Sequence, residues 1–174
     1  MGKSAPHKKV KLIIGFIFND AGVLKTAIRT AVKKWGPVDS ESDVLDFCST
    51  DYYQEELGDG LKRKFIGIKR LVSPENIYNL KIETNRTEKV LSRAGKRLVN
   101  IDPGYITESK LILLTTKDYG HRIYLGHGIY AEVTLKFQGG SFGPLETTYP
   151  DYKREECIMF FNNARHIYRE SLKI

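Results

Sequence analysis

Cysteine is scarce in this chain: two residues in 174, Cys48 and Cys157, with no CxxC spacing. That is too few for a disulfide scaffold or a thiolate zinc site. It leaves open one disulfide or two reduced thiols, the latter being the state expected of a cytoplasmic chain. Long apolar runs are also missing. The densest, Leu12 to Phe18, falls well short of the roughly 18 residues of a membrane span and reads as a strand. The basic start, Met1 to Lys9, is followed by no signal-peptide cleavage pattern. There is no GxxxxGK run, no GxGxxG behind a strand, no HExxH and no nucleophile-elbow pattern. These absences exclude a P-loop mechanism and give no footing to a dinucleotide, zinc or Ser–His–Asp site.

What the chain has is charge, unevenly placed. The net charge of +7 divides into +7 over residues 1–38, −8 over 39–59, +8 over 60–97 and zero over 98–174. An acidic block between two basic ones can neutralise them within one fold. It also leaves two other readings open: nucleic-acid binding through the basic 60–97 segment, and an adaptor whose acidic 39–59 segment docks a basic partner.

In chain order, residues 1–8 read as a flexible basic tail and 9–174 as a single α+β domain. Lys9 to Phe18 is a buried strand; Asn19-Asp20 caps a helix with apolar residues from Val23 to Trp35, ended by Gly36-Pro37. A short strand is expected at Val44 to Cys48, with Asp51-Tyr52-Tyr53 in a loop behind it. A longer strand follows from Leu61 to Val72. Ser73-Pro74-Glu75 predicts a helix running to about Ala94 and stopped by Gly95. Leu98 to Ile101 is a short strand, ended by an Asp102-Pro103-Gly104 turn. Lys110 to Thr116 fits either strand or helix. Gly139-Gly140 and Gly143-Pro144 mark loops, and a last helix carries Ile158, Phe161, Ala164, Ile167, Tyr168 and Leu172 as its apolar stripe. This order is that of a ferredoxin-like antiparallel sheet with helices on one face, plus an added C-terminal hairpin and helix.

Residues 100–136 gather most of the groups able to bind or transfer charge. Gly126-His127-Gly128 predicts a three-residue hairpin loop that pairs Leu125 with Ile129, Tyr124 with Tyr130, Ile123 with Ala131 and Arg122 with Glu132. Alternation then gives an apolar face of Leu125, Ile123, Ile129, Ala131, Val133 and Leu135. The opposite face carries Tyr124, Tyr130, Arg122, Glu132, Thr134 and Lys136. That polar face is either a solvated ion pair beside two tyrosines or the floor of a pocket. As a pocket, it would bind a small anionic or phosphorylated ligand and could process it. Arg122, Lys117 and Asp102 would hold the ligand, with Tyr105, Tyr124 and Tyr130 packing its body. His121, Asp118 and Glu132 are the catalytic candidates, Asp118 being placed to fix the tautomer of His121. The same three could take a divalent cation if they converge, although no metal is assigned. His127 at the hairpin tip and His166 on the last helix read as surface residues. Nothing in the residues sets an oligomeric state or decides whether the chain is an enzyme.

The segments VKLIIGFIFND, TDYYQEELGDGLKRKFIGI, RLVNIDPGYITESKLILLTTKDYGHRIYLGHGIYAEVTL and TYPDYKR cover most of the chain. In them it resembles an uncharacterised bacterial family, domain-of-unknown-function family 4416. The resemblance implies a soluble single-domain protein and brings no activity or catalytic residue with it.

Overall fold

The computed structural model describes residues 2–47 and 53–173; Cys48 and the Asp51-Tyr52 part of the acidic loop lie outside them. The apolar run forms β1 (Val10–Phe18), buried at every position. A strand apolar on both sides belongs in the middle of a covered sheet. β1 lies there, between β4 (Lys62–Val72) and β5 (Val99–Ile106) and antiparallel to both. Asp20 caps α1 (Ala21–Trp35), its Oδ1 accepting from the N–H groups of Gly22 and Val23 at 2.6 and 2.9 Å.

The remaining elements are β2 (Val38–Glu41), β3 (Leu45–Asp46), α2 (Gln54–Leu57), α3 (Tyr78–Val90), β6 (Lys110–Thr115), β7 (Ile123–Gly126), β8 (Ile129–Gln138) and β9 (Ser141–Pro144). A 3-10 turn at Pro150–Lys153 leads into α4 (Glu155–Ser171). Among the described residues the strands join one nine-stranded sheet in the order β2-β4-β1-β5-β6-β8-β7, with β3 on β4 and β9 on β8. Every pairing is antiparallel. The fold is therefore a mixed α and β architecture built on a large antiparallel sheet.

The pleat sorts the core into two layers. Leu12, Ile14, Phe16, Ile66 and Ile68 face the side covered by α1 and α3. Ile13, Phe65, Leu113, Leu135 and Phe142 face α4, which supplies Cys157, Phe160, Phe161, Ala164 and Tyr168. The acidic block is drawn into ion pairs with the basic ones. Asp39 meets the buried Lys11 at 2.5 Å, Asp46 meets Lys62 at 2.5 Å, Glu41 meets Lys64 at 3.0 Å, and Glu56 meets Arg97 at 2.6 Å.

Several local expectations are corrected. α3 starts at Tyr78 rather than Pro74, because Asn76 adopts φ 56, a left-handed conformation that no helix interior accepts. It also ends at Val90, short of Ala94, which is itself at φ 50. The Val44 to Cys48 strand is reduced, within the described residues, to Leu45–Asp46. β2 lies in the acidic block and β9 in a stretch that reads as loop. Lys110–Thr115 is a strand. The hairpin closes with two residues, His127 and Gly128, at φ 54 and 74, so Gly126 rather than Leu125 opposes Ile129. A second irregularity sets Leu111 against Leu135 and Ile112 against Val133, leaving Thr134 as an extra residue in β8. Two such bulges break the simple alternation. Glu132 and Thr134 are buried, while Ile123 is 71 % exposed and Val133 38 %.

Candidate functional site

The geometry of the site begins at Asp102-Pro103-Gly104, which is not a turn: β5 runs straight through it. Gly104 is required by a close approach, since a β-carbon there would collide with the Ile112 carbonyl oxygen and lie 2.8 Å from Leu113 Cδ2. Pro103 acts on the ladder. The bond from Thr107 N–H to the Lys110 carbonyl at 2.9 Å fixes the alternation of the β5–β6 pair. In that register residue 103 should donate to the Leu114 carbonyl, and proline has no N–H. The ladder stops there, its last pair being Gly104 with Leu113. On the next rung Ile101 would bond Thr116. Instead α3 supplies both partners: Ile101 N–H donates to Glu88 Oε1 at 2.6 Å, and Lys81 Nζ donates to the Ile101 carbonyl at 2.9 Å. Past Pro103 the sheet parts between β5 and β6.

A cavity of about 610 Å³ occupies this parting. Five cations line it (Arg63, Lys81, Arg97, Lys117 and Arg122) with four carboxylates (Glu88, Asp102, Glu132 and Asp151) and the rings of Tyr53, Tyr149 and Tyr152. At one end Arg63 is 2 % exposed. Its Nη1 donates to Asp102 Oδ2 at 2.8 Å and its Nη2 to Tyr152 Oη at 2.5 Å, with the guanidinium over the Phe65 and Tyr152 rings. Its Nε, 3.3 Å from Asp151 Oδ2, makes no hydrogen bond. At the other end Arg122 donates from Nε to Glu132 at 2.7 Å, from Nη1 to the Lys117 carbonyl at 2.9 Å and from Nη2 to Tyr149 Oη at 2.5 Å. The Tyr149–Tyr152 segment therefore holds both arginines.

Burial sets the protonation of these groups. It raises the Glu88 carboxyl above its ordinary value, against the pull of Lys81, the Ile101 N–H and Arg97. It raises Asp151 likewise, against Arg63. Burial acts the same way on Asp102, but there Arg63 and Lys81 outweigh it and the net shift is downward. Burial pushes the Cys157 thiol beneath the site up to about 11, so it is no nucleophile at neutral pH.

Acidification consequently works in two directions. A carboxyl raised in the folded state takes up its proton there first, so stability rises as pH falls through the raised values of Glu88 and Asp151. A lowered carboxyl contributes stability above its ordinary value and loses it as pH falls through the lowered one. The unfolding temperature should hold or rise from neutrality to about pH 5 and fall below about pH 4. A steady decline from pH 7 in a thermal melt series would contradict these assignments.

Of the residues singled out in the sequence, the cavity brings together Asp102, Lys117, Arg122 and Glu132. His121 stands outside the lining, its Nε2 3.1 Å from Glu132 Oε2; Glu132, not Asp118, is its carboxylate partner. Asp118 lies instead near Tyr130, whose hydroxyl pKa is raised by desolvation and by that carboxylate. Tyr124 and Tyr130 pack on each other with centroids 5.2 Å apart, away from the cavity. Tyr105 packs into the layer under α1 and α3. Among the described residues no three His, Cys, Asp or Glu side chains gather to hold a metal ion. Also among them, no helix is long and apolar enough to cross a membrane.

Sequence reasoning missed Arg63, Lys81, Glu88, Arg97 and Asp151. A signal existed for the first: in Arg63-Lys64-Phe65-Ile66-Gly67, period two puts Arg63 on the same face as the buried Phe65.

An antiparallel sheet parted around a buried cluster of guanidinium and carboxylate groups defines the class of architecture. The chain belongs to the family described as Domain of unknown function (DUF4416), which matches residues 8–168. No curated protein and no solved structure matches it.

Proposed function

We propose that this chain binds a small anionic, phosphorylated ligand in the cavity between β5 and β6. The observation that carries the reading is the half-open parting of the sheet with five cationic side chains lining it. A sheet that folds without a reason to part buries its edges; this one places ionic groups there instead, and such groups are costly to bury unless they are used. Arg122 contributes field rather than a free fork, because Nε, Nη1 and Nη2 all donate within the protein. The donors left for a ligand include those of Lys81, whose ammonium has three and gives one to the Ile101 carbonyl. Lys117, which also lines the cavity, would add its positive charge to the field there. Glu132, with His121 at its rim, would orient the ligand or move a proton.

A thermal-shift screen of small phosphorylated compounds tests this. At least one should raise the unfolding temperature, and Lys117→Ala, an exposed change, should weaken that ligand's affinity about tenfold or more, the equivalent of one charge-assisted hydrogen bond. No stabilising compound in a broad panel would count against the reading. Nucleic-acid binding through 60–97 and docking through 39–59 gain no support here. Arg63 is buried, and Lys62, Lys64 and Arg97 are paired with Asp46, Glu41 and Glu56. The order β2-β4-β1-β5, with α1 and α3 on one face, supports reading residues 10–106 as ferredoxin-like, with β6 to β9 and α4 as the addition.

A further inference from the structure

The parted sheet leaves one main-chain edge capped and the other open. On β5, Ile101 has both its N–H and its carbonyl bonded by Glu88 and Lys81. On β6, the register turns the Leu114 carbonyl toward the gap, where Pro103 has no N–H for it. Two residues on, Thr116 turns its N–H to the same side, and among the described residues neither that N–H nor the Thr116 carbonyl makes a hydrogen bond. Leu114, Thr115 and Thr116 all line the cavity. A carbonyl and, two residues along the same strand edge, an N–H can be met by a planar ligand group that carries a donor beside an acceptor. Nucleobases have such an edge.

Resting on the anion-binding reading above, we infer that the ligand is a mononucleotide, its base edge on the Leu114 carbonyl and the Thr116 N–H. The Tyr53 and Tyr149 rings in the same lining offer apolar faces to a base. Lys117, next along the chain, and Lys81, across the gap, line the same cavity and bring positive charge to where the phosphate would lie. A volume of about 610 Å³ suits a ligand of this size and far exceeds what a phosphate alone needs. An inserted peptide strand fits less well. It would need β5 as its second partner, and the Ile101 rung is already taken.

The test is calorimetric titration of the full chain with AMP, GMP, CMP and UMP, beside ribose 5-phosphate and inorganic phosphate. At least one mononucleotide should bind tenfold or more tighter than ribose 5-phosphate. In a chain carrying ¹⁵N-threonine, the Thr116 amide resonance should move with the nucleotide and stay put with ribose 5-phosphate. Thr116→Pro, which deletes the N–H, should lose the nucleotide's advantage and keep the binding of ribose 5-phosphate; Thr116→Ala should keep both. Should the proline variant fail to fold, the amide resonance of the unaltered chain decides. Ribose 5-phosphate binding as tightly as every mononucleotide, or an unmoved Thr116 amide, overturns the base-edge inference and leaves the anion reading standing. No binding by any of the six overturns both.

Discussion

Arg63→Met should lower the unfolding temperature by roughly 10 °C. The substitution keeps apolar bulk against Phe65 and Tyr152 but removes the one side-chain cation that, among the described residues, is hydrogen-bonded to Asp102. Stripping one partner from a buried ion pair costs about 3–5 kcal/mol, because the other charge stays behind without its counter-ion. In a domain of this size each kcal/mol moves the midpoint by about 2–4 °C. The double change Arg63→Met with Asp102→Asn should recover part of the loss, since Asp102 is then no longer a charge without its counter-ion and only Asp151 has lost its cation. A single variant melting within 2 °C of the parent would show that solvent in the cavity, not Arg63, compensates Asp102.

Gly104→Ala should be nearly as damaging, for a steric reason. The added methyl group would run into the Ile112 carbonyl oxygen on the neighbouring strand, a backbone atom with no rotamer to escape through, and would crowd Leu113 Cδ2 at 2.8 Å. The strands must separate where their ladder is already short, at a cost of about 1–3 kcal/mol or somewhat more. Gly120→Ala is the matched control. A β-carbon at position 120 would meet nothing within 4 Å, so denaturant midpoints should fall for Gly104→Ala and barely change for Gly120→Ala. Equal midpoints for the two would remove the close-approach account of Gly104.

How much of this was legible in the sequence depended on whether the signal was local. The continuous apolar run of β1, the Asp20 cap of α1 and the stripe of α4 could be read because burial there follows one period without interruption. The convergence of Asp102, Lys117, Arg122 and Glu132 followed from their clustering in one stretch. The rest failed for identifiable reasons. Proline and glycine at 103 and 104 are turn residues by local chemistry, yet here they serve a strand edge and a strand contact. Two bulges mixed the two sides of the 123–136 ribbon, burying Glu132 and Thr134 with Ile129 and Leu135 while exposing Ile123 and Val133, and no single-residue preference announces a bulge at Thr134. Lys81 and Glu88 lie in an expected helix within the basic 60–97 segment, with no local pattern to single them out. Only the missing rung at Ile101 gives them their work, and that rung is a tertiary fact.

The stop at Pro103 also decides where the molecule yields. β1 runs against β4 and β5 along almost its full length, whereas among the described residues the strand pairing that joins β6, β8, β7 and β9 to that group runs only from the Gly104–Leu113 pair to the Thr107–Lys110 bond, with α3 packed across β5, β6 and β8. Flexing one plate against the other strains a few hydrogen bonds of about 1 kcal/mol each; separating β1 from either neighbour would break a whole ladder. Compliance is thus concentrated along one line, and the slot lies on it, with α4 clasping the two plates from behind through Phe65 on one and Leu135 and Phe142 on the other.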